Sequence, residues 1–177
     1  MRSRAFSKSV PKAPNAIIFL ALNDFPMRIL IVKLSSIGDV VHALPAVAFL
    51  KRAIPEAHIS WVVERRASAI LRGSPIIDRL IVIDTRAWRR RPFDPGTLAD
   101  VRASLRDVRR PGPREDDDHQ VDVAIDLQGL IKSGIVARAS GAARRIGFES
   151  SDLRERASRA FLTEQVDTSA FAHVIEK

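Results

Sequence analysis

The chain has 177 residues, enough for one domain, and 46% of them are hydrophobic, enough to furnish a core. With 29 Lys and Arg against 21 Asp and Glu, the net charge of +8 predicts attraction to anionic partners such as phosphates, lipid head groups or nucleic acid, without choosing among them. Cysteine is absent, which excludes disulfides and thiolate metal sites and fits a cytosolic protein, and no apolar run reaches the roughly 18 residues of a membrane span.

Near the start, Ala16-Ile-Ile-Phe-Leu-Ala-Leu22 follows Arg2, Arg4, Lys8 and Lys12. That is the outline of a short secretion signal, but no small-x-small cleavage site follows it. Residues 1–26 are therefore expected to be an extension ahead of the folded part, with Met27 as a natural start.

Arg28–Lys33 reads as a buried parallel strand, short and β-branched. Asp39 to about Ala53 has helical spacing, with Pro45 inside its first two turns and Pro55 closing it. His58–Glu64 and Arg79–Asp84 are expected as the next two strands, joined through a short helix over Ala67–Leu71. Asp84 to Phe93 reads as a basic loop and residues 97–109 as a helix. Residues 111–119 read as a solvated polar loop. Val121–Asp126 is a fourth strand, Gly129–Ala139 a helix and Arg144–Phe148 a short fifth strand. Beyond it the pattern thins, to a helical turn over Ala157–Leu162 and the beginning of a helix over Ala170–Lys177 that stops uncapped, as in a truncated chain. Alternating strands and helices predict an α/β, Rossmann-like, mostly parallel sheet with right-handed crossovers.

In such sheets ligands bind beyond the carboxyl ends of the strands, and three clusters fall there. The first is Ser35-Ser36-Ile37-Gly38-Asp39. One glycine makes neither a dinucleotide fingerprint nor a Walker loop, so a nicotinamide or a nucleoside triphosphate has no support. Ser36 or Asp39 can cap the helix and offset its dipole, or Asp39 can serve as a general base with His42 as its neighbour. The second cluster places Arg86, Arg89, Arg90 and Arg91 around Trp88 and Phe93. It is either a solvated basic loop or a set of bidentate phosphate ligands. Nucleic acid is not expected, since aromatics are only 6% of the chain and no recognition-helix or single-strand-binding motif appears. The third is Asp126-Leu-Gln128-Gly129-Leu-Ile-Lys132-Ser133, where Lys132 is either a phosphate ligand or an ordinary snorkelling side chain.

The run Arg28-Ile-Leu-Ile-Val-Lys-Leu-Ser-Ser-Ile-Gly-Asp-Val-Val-His-Ala-Leu-Pro45 resembles the N-terminal block of the lipopolysaccharide heptosyltransferases of glycosyltransferase family nine. Ala53-Ile-Pro, Trp61-Val-Val-Glu64, Arg86-Ala-Trp-Arg-Arg90, Ile125-Asp-Leu-Gln-Gly-Leu-Ile-Lys-Ser133 and His173-Val-Ile-Glu176 match in order and spacing, so the resemblance covers residues 27–177. It implies the N-terminal, acceptor-binding domain of a two-domain GT-B enzyme, with the donor domain beyond this chain. The reaction implied is inverting transfer of L-glycero-D-manno-heptose from its ADP sugar to Kdo of Kdo–lipid A, without metal or cofactor. It would take place on the cytoplasmic face of the inner membrane, with peripheral membrane contact. By position, Asp39 is then the catalytic base, and Ser36, Arg86, Arg89, Arg90, Gln128, Lys132 and Arg154 bind the acceptor. The Val-Lys-x-Ser-Ser-x-Gly-Asp-Val-x-His form favours the family member that acts on Kdo. Another heptosyltransferase, or a non-catalytic basic α/β module binding acidic glycolipid or nucleic acid, is the alternative.

Overall fold

The computed structural model describes residues 27–110, 120–149 and 153–167. The proposed extension over residues 1–26, the polar loop at 111–119 and the helix expected over Ala170–Lys177 lie outside them. Within them, six strands, β1 (Arg28–Val32), β2 (His58–Glu64), β3 (Arg79–Ile83), β4 (Val123–Asp126), β5 (Arg144–Phe148) and β6 (Glu164–Val166), form one sheet in the order β3-β2-β1-β4-β5-β6. Every pairing is parallel. The order reverses between β1 and β4, the position at which doubly wound sheets open a crevice for ligand.

β1 is buried along its whole length, and its alternate residues feed two layers. Ile29 and Ile31 pack on one face with Val40, Val47 and Trp61, while Leu30 and Val32 pack on the other with Val108, Ala124 and Ala137. A strand buried on both faces has no room for a polar alternate, which is why its sequence is one apolar run. Trp61 is fully buried, and its indole N–H donates to the Lys33 carbonyl at 3.1 Å.

The helices are α1 (Ile37–Ala53), α2 (Ser68–Leu71), α3 (Thr85–Arg90), α4 (Pro95–Arg109) and α5 (Ile131–Ala139), followed by a 3-10 turn at Arg156–Phe161. α1 begins two residues earlier than its spacing suggests, because Ser36 is its N-cap. Pro45 is therefore its ninth residue, beyond the first two turns, and leaves the Val41 carbonyl without its usual donor on an exposed stretch where water can replace it. The expected basic loop after β3 is instead the short helix α3. Asp84 caps it, accepting the Ala87 N–H at 3.0 Å. A residue read as the end of a strand thus starts a helix. Asp94 does the same for α4, accepting the Thr97 N–H at 3.1 Å. β6 was not expected, being three residues long with a half-exposed pattern too short to show period two.

Register brings the strand ends to one level. Val32 stands opposite Val62 and Asp126, and Glu64 opposite Ile83. The turns after β1, β2, β3 and β4 consequently meet along a single edge.

Candidate functional site

That edge holds a cleft of about 520 Å³ lined by Ser35, Ser36, Ile37, Gly38, Glu64, Arg66, Ala67, Arg86, Arg89 and Lys132. Four cationic side chains and one carboxylate face the same space. Its floor is built largely by hydrogen bonds to backbone.

Gln128 is buried, and its Oε1 accepts the N–H groups of Leu34 at 3.0 Å and Ser35 at 3.1 Å. The β1–α1 turn is thereby held to the β4–α5 turn. Asp126 holds Gln128 in turn: its Oδ1 accepts the Gln128 N–H at 2.8 Å and the Gly129 N–H at 3.2 Å, and its Oδ2 accepts the Ser133 hydroxyl at 2.9 Å. Burial pushes the Asp126 carboxyl upward, against the opposing pull of these donors. The sequence signal for Gln128 was a ligand-edge amide. Its placement is that of a strut beneath the turn, with its acceptor oxygen already used.

Asp39 sits in the first turn of α1, where its Oδ2 accepts the Ser36 N–H at 3.1 Å. The cap reading therefore describes its geometry. The same oxygen also receives Arg154 Nη1 at 3.3 Å, and the carboxyl remains partly exposed. The Ser36 N–H holds the Asp39 carboxyl below the usual carboxylate range; burial opposes this, and Lys33 and Arg154 add to it. Asp39 is thus ionised at neutral pH, open to solvent and able to accept a proton. His42 is exposed and makes no hydrogen bond to it.

Lys33, which the sequence analysis did not single out, lies beneath the turn, and its ammonium donates to the Leu127 carbonyl at 2.7 Å. Burial lowers its pKa. Only its identity as a charged residue at the end of an apolar strand could have drawn notice. Glu64 was also missed as a site residue. It accepts from the Thr85 N–H at 3.3 Å and from the Thr85 hydroxyl, and faces Lys132 Nζ at 3.9 Å.

Arg154 reaches Asp39 because its segment is pinned to the β4–α5 turn. The Glu155 N–H donates to the Gly129 carbonyl at 3.1 Å, and the Glu155 carboxylate accepts the Ile131 N–H at 2.7 Å. Gly129 has φ +69°, and a Cβ there would meet Leu153 at 3.3 Å and the Arg154 nitrogen at 3.5 Å. Glycine meets both demands at that position.

Ser36, Arg86, Arg89 and Lys132 are brought together around the cleft, with Arg66 in addition. Arg90 is not. It faces a separate groove with Trp88, Arg91 and Asp94, because α3 turns successive arginines to different sides. Among the described residues no cluster of His, Asp and Glu could hold a metal ion, and no helix is long and apolar enough to cross a membrane.

No protein-family model matches the chain. Among curated proteins it is 32% identical over 151 residues to lipopolysaccharide heptosyltransferase 1 of Salmonella typhimurium, covering 85% of this chain and 45% of that protein. It is 31% identical over 154 residues to the protein of the same name from Pseudomonas aeruginosa, covering 85% and 40%. Among solved structures it matches Escherichia coli heptosyltransferase WaaC with ADP-2-deoxy-2-fluoro heptose at a TM-score of 0.70 and 31% identity, over 83% of this chain and 44% of that one. A glycosyl transferase family 9 protein from Veillonella parvula, 21% identical with a TM-score of 0.61, shares the fold. The chain is related to the heptosyltransferase 1 proteins, matches their N-terminal part and spans under half their length.

Proposed function

We propose that this relative of heptosyltransferase 1 supplies the acceptor-binding, base-bearing half of an inverting glycosyltransferase, which moves L-glycero-D-manno-heptose from ADP-heptose to Kdo of Kdo–lipid A. The donor half corresponds to the part of the relatives that this chain does not span. The observation that carries the reading is the position of Asp39, directly after the Ser36-Ile37-Gly38 turn that lines a cleft with Arg66, Arg86, Arg89 and Lys132.

The acceptor hydroxyl is a weak nucleophile at neutral pH. As its oxygen bonds to the anomeric carbon of heptose, the bond from that carbon to the ADP phosphate breaks, ADP leaves with the electron pair, and Asp39 takes the hydroxyl proton. General-base assistance of this kind is worth roughly 10²–10⁴-fold. A low pKa makes Asp39 a weak base while Arg154 sits on it. Arg154 has a second use, because an incoming acceptor carboxylate or phosphate competes for its guanidinium and leaves Asp39 a stronger base. Arg86 and Arg89 offer planar forks to the acceptor's anionic groups, and Lys132, steadied by Glu64, adds a point charge. Such an acceptor is lipid-anchored, so the protein works as a peripheral protein at the cytoplasmic face of the inner membrane.

The test measures two quantities. Kdo–lipid A binding by the 177-residue chain should weaken when Arg86 and Arg89 are both changed to Ala. Heptose transfer from ADP-heptose by a protein that carries both halves should require Kdo. Transfer to a Kdo-free acceptor, or acceptor binding indifferent to the double change, overturns the reading.

A further inference from the structure

The outer face of α4 is not used by the cleft, and its composition is unusual. Its inner side buries Ser104 and Val108. At helical spacing around the opposite side come Leu98, Arg102, Leu105 and Arg106, with Leu98 43% and Leu105 38% exposed, while Arg109 at the end of this row donates from its Nε to the Ala139 carbonyl at 3.1 Å. Arg102, Leu105, Arg106, Arg109 and Arg110 line a shallow groove of about 390 Å³. The two acids of the helix are engaged on its flank: Asp100 accepts the Trp88 indole N–H at 2.6 Å, and Asp107 accepts Arg79 at 2.9 Å. No carboxylate of α4 therefore opposes the arginines of the outer face. Phe93, just ahead of the helix, is 90% exposed, with Arg90 and Arg91 shortly before it.

We propose that Phe93 and the outer face of α4 form a docking surface for an anionic lipid bilayer. Arginines interleaved with leucines along one helix face, and an aromatic side chain at one end, fit the boundary between head groups and acyl chains. There the guanidinium groups meet phosphates while the leucines and the ring enter the apolar layer. A duplex nucleic acid would use the arginines but give the leucines and the phenyl ring no apolar partner, so charge and apolarity together favour the bilayer. At 15 residues the helix presents a strip about 22 Å long. Its N-terminal end follows α3, whose Arg86 and Arg89 line the cleft, so the Phe93 end of this surface lies at the same edge of the sheet as the cleft. This rests on the proposed reading, in which the acceptor is lipid-anchored, and it names the surface that reading requires.

The test is co-sedimentation of the full chain with sugar-free vesicles, either phosphatidylcholine alone or phosphatidylcholine with about 30% phosphatidylglycerol. The expected result is binding to the anionic vesicles only, released by high salt. R102E/R106E should weaken it at least tenfold and F93S severalfold, with the thermal melting profile unchanged. If the charge reversal fails to fold, R102Q/R106Q replaces it and should weaken binding at least threefold. Partition by the folded arginine variant equal to that of the original chain, equal binding to neutral vesicles, or tighter binding to duplex DNA than to anionic vesicles overturns the inference. Transfer of heptose to a deacylated, water-soluble Kdo acceptor by a protein that carries both halves reports separately on the enzymatic reading, and R102E/R106E should leave it unchanged.

Discussion

The two sides of the cleft are built on opposite physical terms. On the β1–β4 side, Asp126, Gln128, Lys33 and the Leu34–Ser35 backbone form a largely buried network in which the Asp126 carboxylate, the Gln128 Oε1 and the Lys33 ammonium each have a partner. On the α3 side, no residue of the helix is buried, and Arg86 and Arg89 stand exposed at the cleft wall. A buried network tolerates little adjustment, since an unpaired group in it costs about 1–3 kcal/mol. Exposed arginines keep their hydration and rotamer freedom and can adapt to more than one arrangement of anions. The rigid side suits the placement of a proton acceptor, and the loose side suits the capture of a charged, variable substrate.

The sharpest way to break this contrast is Asp39→Asn in a protein that carries both the acceptor and the donor half. Transfer should fall about 10²–10⁴-fold while acceptor binding holds, because the amide keeps the shape but accepts no proton. Unchanged turnover would remove Asp39 from the chemistry. Next in size is Gln128→Leu, which strands the Leu34 and Ser35 N–H groups and should cost about 1–3 kcal/mol for each. Gln128→Glu keeps the acceptor oxygen and should restore much of that loss in a denaturant titration. Equal stability for the two variants would show that the strut is not one.

A smaller effect is expected from Arg154→Ala. Arg154 helps to hold the Asp39 carboxyl low, so its removal raises that pKa and moves the acidic limb of the kcat/KM profile to higher pH. An unmoved limb would mean that the 3.3 Å contact has no electrostatic consequence. The same shift bears on folding. Asp39, Asp84 and Glu164 all have carboxyls held low, by the Ser36 N–H, the Ala87 N–H and the Arg144 guanidinium respectively. Stability from such groups is present above their unfolded pKa, near 4, and is lost as pH falls through the folded values. These three groups should therefore make the protein less stable to denaturant as pH falls below about 4, offset in part by Asp126, whose carboxyl burial pushes up. Smallest is the comparison of Arg89→Ala with Arg90→Ala. The first should weaken acceptor binding by about 1 kcal/mol in a titration and the second hardly at all, since Arg90 faces the neighbouring groove. Equal losses would mean that the wall of the cleft extends around α3.

The amino-acid sequence by itself determined the local elements wherever period and length were unambiguous. β2 spans His58–Glu64 and β5 spans Arg144–Phe148 as their apolar patterns require, and the strand–turn–helix at 28–53 follows from an apolar run ending at Ser and Gly. It also carried the family resemblance, because the Ser-Ser-Ile-Gly-Asp turn and the Gln-Gly block are contiguous in the chain. Other features depend on groups far apart in sequence. Residues 35–39 leave open whether Asp39 is a cap or a base; the tertiary structure shows its carboxylate accepting both the Ser36 N–H and the guanidinium of Arg154, 115 positions away. Gln128 looked like a ligand because its type and edge position suit one. Only the return of β4 alongside β1 shows its oxygen spent on Leu34 and Ser35. The arginine run looked like one cluster because sequence has no direction in space. Winding it into α3 sends Arg86 and Arg89 to the cleft and Arg90 away from it, since successive helical residues point about 100° apart.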